Sequence, residues 1–132
     1  MTNVDTVRGL YDAFERGDME TVFGLMDSSI SWQEADNSPF QPEGMAWVGA
    51  SAITDNLIMK LATDWDGFEV TIDRVSDAAD RVFVEGRYTG TYKQTGKSLD
   101  AQFCHVWNVG DGKLKAFQGY MDTAQAKSVM NA

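Results

Sequence analysis

SLDAQFCHVWNVGDGKLKAFQGYMDT, residues 98–123, reads as two long strands joined at Gly110-Asp111-Gly112-Lys113. An Asp-Gly turn between apolar runs is a strong hairpin signal. Leu99 to Val109 leads in and Leu114 to Met121 leads out. Strands this long, carrying Phe103, Trp107 and Phe117, are too aromatic to stand alone in water. The rest of the chain must supply further strands and a cover.

With 132 residues, 43% hydrophobic and 11% aromatic, the chain has the size and composition of one globular domain, 1–132. The net charge is −9, from 20 acidic and 11 basic residues. That balance argues against nucleic acid and against an anionic membrane, since both select clustered Lys and Arg. A single cysteine, Cys104, excludes an internal disulfide, and a single histidine, His105, excludes a multi-His metal centre. No metal and no organic cofactor is expected. No apolar run reaches the ~20 residues of a membrane span. The start, Met1-Thr2-Asn3-Val4-Asp5, lacks a basic segment followed by an apolar one. A reduced, cytoplasmic compartment is the expectation.

Val4, Val7, Leu10, Tyr11 and Phe14 fall at helical spacing, with Thr2 or Asn3 as cap and Gly17 as stop. Asp18 caps a shorter helix carrying Met19, Val22, Phe23 and Met26. The period then changes to two, with Ile30, Trp32 and Glu34 on one side of a short strand over 29–34. Ala35 to Gly49 holds both prolines and reads as a loop, apolar enough to cover a cavity or to pack on the core edge. A third helix spans Ala50 to Thr63. Strands follow over Phe68 to Asp73 and Val82 to Tyr92, the second bent at Gly86 and Gly90. The tail, Ala124 to Met130, has room for a turn of helix. The expected fold is an α+β domain in which a curled antiparallel sheet packs on three helices and leaves a cone-shaped hollow.

This chain resembles the nuclear transport factor 2-like superfamily, in its SnoaL-like, ketosteroid isomerase-related branch. The resemblance rests on Tyr11-x-Ala13-Phe14-x-x-Gly17-Asp18, on Gly49-x-x-x-Ile53, and on His105-Val106-Trp107 with Tyr120-Met121-Asp122-Thr123. It implies the cone fold over almost the whole chain, but a superfamily of isomerases, cyclases, hydrolases, dehydratases and binding proteins implies no single reaction. The isomerase's proton-shuttling carboxylate would fall on Glu34. Its oxyanion tyrosine would fall on Leu10, one residue from Tyr11, and its second oxyanion donor on Cys104. The Asp-Arg-Asp set of limonene-epoxide hydrolases would fall on Tyr88, Gly86 and Gly119, so that chemistry is absent. A cyclase role for His105 or Asp122 would require a bulge to turn either inward.

Glu34 is the candidate acid–base residue, since burial beneath Trp32 would raise its pKa toward neutrality. Its other reading is a strand-end carboxylate in a wet cavity mouth or paired to Arg74, Arg81 or Arg87. With Trp32 and Glu34 inward, the matching inward residues are Tyr88, then Gln102 and Cys104, then Phe117 and Met121. These line a ligand pocket or simply surround a small void. Cys104 has no neighbouring base and reads as a small apolar residue, not a nucleophile. Phe103, His105 and Trp107 then face outward, too apolar for water, and predict a homodimer interface. The functions in view are proton transfer on an apolar small molecule, binding without catalysis, or dimerisation.

Overall fold

The computed structural model describes residues 2–131. Helix α1 (Asn3–Arg16) starts in a reciprocal cap: Thr2 accepts from the Asp5 amide and Asp5 accepts from the Thr2 amide, both at 3.0 Å. It stops at Gly17, whose φ of 73° suits glycine. Asp18 caps α2 (Met19–Leu25), which turns directly into β1 (Met26–Gln33). The short β2 (Trp47–Val48) precedes α3 (50–64), whose middle turn, Thr54–Ile58, widens into π-helical geometry. Then come β3 (Trp65–Ala78), β4 (Arg81–Tyr92), β5 (Ser98–Gly110), β6 (Lys113–Met121) and α4 (Thr123–Met130).

The six strands form one curled, unclosed sheet in the order β2-β1-β6-β5-β4-β3, with the helices packed on it as an α+β cone. It departs from the expected pattern in two ways. The sheet is mixed, because β1 runs parallel to β6. Those strands are far apart in sequence and no hairpin links them, so no tight turn forces an antiparallel pairing. A fourth helix also exists where the sequence left room for only a turn. Asp122 caps α4, Ala126 and Val129 are buried, and the Gln125 side chain accepts from the Asp100 amide. Tertiary contacts, not intrinsic propensity, hold so short a helix.

Register decides which side chains meet inside. The Asp111-Gly112 turn has φ of 54° and 70°, the doubly positive geometry of a two-residue hairpin. Gly110 pairs with Lys113 and Val109 with Leu114. Continued unbroken, that register would place Val106 opposite Phe117 and put Gln102 and Cys104 inside. Instead Lys115 is an extra residue: Asn108 pairs with Ala116 and Trp107 with Phe117. This bulge exchanges the two faces of β5 relative to β6. Phe103, His105 and Trp107 are therefore core residues, and the expected interface built from them is overturned. Gln102 and Cys104 lie on the opposite, outer face, away from the hollow.

The parallel pairing aligns Trp32 with Phe117 and Gln33 with Gln118, and one step further sets Glu34 beside Gly119. His105 pairs with Gly119 from the other side. Glu34 and His105 thus share a face two strands apart, about 10 Å between backbones, with a glycine between them. The space is tight: a Cβ at Gly119 would come within 2.9 Å of Glu34 Oε1 and 3.0 Å of the Phe117 ring, so something would have to shift.

Candidate active site

The helices and the inner sheet face enclose a cavity of about 80 Å³. Leu10, Tyr11 and Phe14 of α1 cover one side, and Leu57, Ile58 and Leu61 of α3 another. Trp32, Phe40, Phe68, Tyr88 and Trp107 supply aromatic walls. Phe117 stands behind Trp32, its ring stacked at 3.8 Å. It supports the wall without reaching the cavity surface, and Met121, expected in the floor, pairs with Phe103 outside the lining. Four side chains give the apolar cavity ionisable or hydroxyl groups: Tyr11, Glu34, Tyr88 and His105.

Glu34 is only 3% exposed. The one side-chain donor to its carboxylate among the described residues is Trp32 Nε1, at 2.8 Å. Burial pushes the carboxyl up to about 7, against the smaller lowering effect of the Trp32 bond. Among the described residues no arginine reaches it. Arg74 pairs with Glu85 at 3.8 Å, Arg87 with Asp100 at 2.7 Å, and Arg81 lies over the Phe83 ring. The ion-paired reading of Glu34 fails on that arrangement.

The backbone at Glu34 is fixed by a residue the sequence did not single out. Gln41, buried in the loop after β1, accepts from the Glu34 amide at 3.0 Å and donates to the Trp32 carbonyl at 3.0 Å. One amide side chain thus pairs with β1 as a neighbouring strand would. It also accepts from Gln33 Nε2 at 2.8 Å. The loop packs Ser38 and Phe40 into the core, and Phe40 closes the cavity there.

On the same sheet face, beyond Gly119, His105 sits between two phenols. Tyr11 Oη is 2.5 Å from Nδ1, Tyr88 Oη contacts Nε2, and Trp107 Nε1 donates to Tyr11 Oη at 2.9 Å. The imidazole also stacks on Phe103 at 4.0 Å. Burial lowers the pKa of His105 to about 3, so the ring is neutral at physiological pH. Burial raises both tyrosines; a smaller part comes from the Glu34 charge.

Of the residues expected in the pocket, Trp32, Glu34 and Tyr88 come together. Gln102 is exposed; Cys104 is partly so, and burial together with Glu85 raises its thiol pKa, which fits its reading as no nucleophile. Asp122 is the cap of α4, on the outer side. The sequence missed Tyr11, His105 and Gln41. A signal for His105 was present: Leu99, Ala101, Phe103, His105, Trp107 and Val109 are the apolar alternate set of β5.

A cone of mixed sheet and helices around an apolar cavity defines the NTF2-like, ketosteroid isomerase-like class of domain. The SnoaL-like domain pattern matches residues 7–117, and the chain belongs to that family. An NTF2-like protein of Burkholderia thailandensis is 32% identical over 100% of this chain and 99% of its own, with a TM-score of 0.93. An NTF2-like protein of unknown function from Burkholderia pseudomallei is 26% identical, covers 100% of both chains and superposes with a TM-score of 0.87. TerC, co-crystallised with polyporic acid, shares the fold with a TM-score of 0.85 at 21% identity, over 98% of each chain. No protein of curated function matches the chain. No described helix is long and apolar enough to cross a membrane.

Proposed function

We propose that the cavity binds a small apolar carbonyl compound and moves a proton on it without a cofactor, Glu34 acting first as base and then as acid. The observation that carries this reading is the Glu34 carboxyl itself, buried in an aromatic wall, with no cation paired to it among the described residues and its pKa brought to about 7. A carboxyl near neutrality both accepts and returns a proton under physiological conditions. The carboxylate takes a proton from the carbon next to the carbonyl, and the C–H electron pair becomes the C=C bond of an enolate. The carbonyl π electrons move to oxygen, where a phenolic O–H donates to the developing charge. Return of the proton to a different carbon completes an isomerisation; dehydration and some cyclisations begin with the same removal. The fold accommodates small organic molecules, as TerC with polyporic acid illustrates.

A second reading, binding without turnover, draws on two positions. The places where the isomerase resemblance puts its oxyanion donors are Leu10, an apolar wall residue, and Cys104, on the outer face. One experiment separates the readings: a panel of small enones and lactones, measured for binding and turnover with wild type and Glu34→Gln. Proton transfer predicts loss of ~10²–10⁴-fold in turnover with affinity held within a few-fold. Binding in both variants with turnover in neither establishes the binding protein.

A further inference from the structure

The Trp107–Tyr11–His105–Tyr88 chain holds one more hydrogen than it uses. Its members are linked by three hydrogen bonds, and they carry four donor hydrogens while the imidazole is neutral. Trp107 can only donate, so its bond to Tyr11 is fixed in direction. If His105 carries its proton on Nε2, Tyr11 donates to Nδ1, Nε2–H donates to Tyr88, and the Tyr88 hydrogen is free. If the proton is on Nδ1, two N–H groups converge on Tyr11, Tyr88 donates to Nε2, and the Tyr11 hydrogen is free. Either way one phenolic O–H has no acceptor among the described residues, and both phenols line the cavity.

The two tautomers are not equivalent. With Nε2–H the bonds run head to tail from Trp107 to Tyr88, so each polarises the next. With Nδ1–H the run is broken by two donors meeting at one oxygen. Beyond its contact with His105, Tyr88 faces rings: Phe40 at 6.0 Å, Phe68 at 5.5 Å and Phe103 at 4.5 Å between centroids. None offers a competing oxygen or nitrogen.

We infer that Tyr88 is the donor that recognises a ligand's carbonyl-type oxygen, and that His105 is a positioning residue that aims it by holding the Nε2–H tautomer. This deepens the reading of the cavity as a ligand site and rests on it. It assigns the oxygen-binding role to β4 instead of to helix α1, and makes Tyr11 a relay member. A free phenolic donor among aromatic walls selects ligands with an acceptor oxygen, such as a simple cyclic enone, over hydrocarbons of the same shape.

His105 is the only histidine in the chain, so ¹⁵N spectra of its ring read the tautomer without ambiguity. The free protein near neutral pH should show Nε2–H; an Nδ1–H or doubly protonated ring would overturn the inference. The probe for the donor is 2-cyclohexenone, with cyclohexene as its oxygen-free control. In wild type the bound carbonyl stretch should fall below its value in an apolar solvent. Tyr88→Phe should abolish that lowering and weaken cyclohexenone binding about tenfold, the worth of one hydrogen bond, while cyclohexene binding stays unchanged. Tyr11→Phe should keep a smaller lowering and give a mixed ring tautomer, which a merely structural role would not produce. A lowering that survives Tyr88→Phe and vanishes in Tyr11→Phe sinks the assignment. So does cyclohexenone binding weaker than about 10 mM in wild type. The tautomer and the stretch are both read on wild type, so a variant that fails to fold does not decide the matter. Turnover is read in no arm, so failure of the proton-transfer proposal shows separately, in Glu34→Gln.

Discussion

At the scale of single residues, the neighbour that matters most to Glu34 has no side chain. Gly119 lies between the strands that carry Glu34 and His105, and a Cβ there would meet Glu34 Oε1 at 2.9 Å and the Phe117 ring at 3.0 Å. Gly119→Ala should therefore destabilise the fold by about 1–3 kcal/mol, the range for overpacking a filled site. The cost should be smaller when Glu34 is already alanine. A double-mutant cycle by denaturant unfolding should show coupling of at least about 0.5 kcal/mol; additive effects would mean that the carboxyl does not occupy the space Gly119 leaves. Glu34 itself was legible, because Ile30, Trp32 and Glu34 alternate toward one side of a short strand. Tyr11 was harder to place. Adjacent helical positions are about 100° apart, and the cavity accepts an arc wide enough for both Leu10 and Tyr11. Gln41 carried no signal, since its partners are backbone groups whose positions only the fold supplies.

At the scale of elements, most of the chain could be read in order. The capped helix, the period-two strands and the Asp-Gly hairpin follow from local sequence and short-range sterics. What failed was parity. Lys115 inserts into β6 one turn-length from the hairpin, and nothing in its chemistry distinguishes an extra residue from a paired one. Without that extra residue β5 is inverted, which puts His105 on the outer face and Cys104 in the pocket. The contrast between Phe103, His105, Trp107 and Gln102, Cys104, Asn108 held the correction, because burial favours the more apolar alternate set. The loop after β1 gives a prediction at the same scale. Gln41→Ala would leave the buried Glu34 amide and Trp32 carbonyl without their partner, at a cost of about 1–3 kcal/mol. Hydrogen exchange at the Glu34 amide should quicken relative to the centre of β5. Unchanged protection there would mean that the loop does not hold the end of β1.

For the whole molecule, two buried ionisable groups pull stability in opposite directions with pH. Glu34 has its folded pKa raised from 4.5 to about 7, so the folded state holds the proton more tightly than the unfolded chain. Its contribution is most favourable below pH 4.5 and is lost as pH rises toward 7. His105 is lowered from 6.5 to about 3, so the folded state prefers the neutral ring. Its contribution is complete above pH 6.5 and is lost as pH falls toward 3. Where these windows overlap, from pH 4.5 to 6.5, the two slopes oppose each other and flatten the profile. Glu34→Gln removes one slope while keeping the shape and the acceptor for Trp32. The variant should match wild type near pH 4 and exceed it by about 3 kcal/mol near pH 8, taking ~1.4 kcal/mol for each pH unit. The excess should grow as pH rises from 4.5 to 7. Urea unfolding of both proteins at several pH values measures the difference directly, and titrations common to both cancel in it. A difference that does not change with pH would mean that Glu34 titrates normally, and the acid–base proposal would lose its support. A difference that grows as expected means the fold tolerates, at neutral pH, a buried carboxylate that glutamine would relieve. Stability given up at one cavity-facing residue is the pattern of a site retained for chemistry.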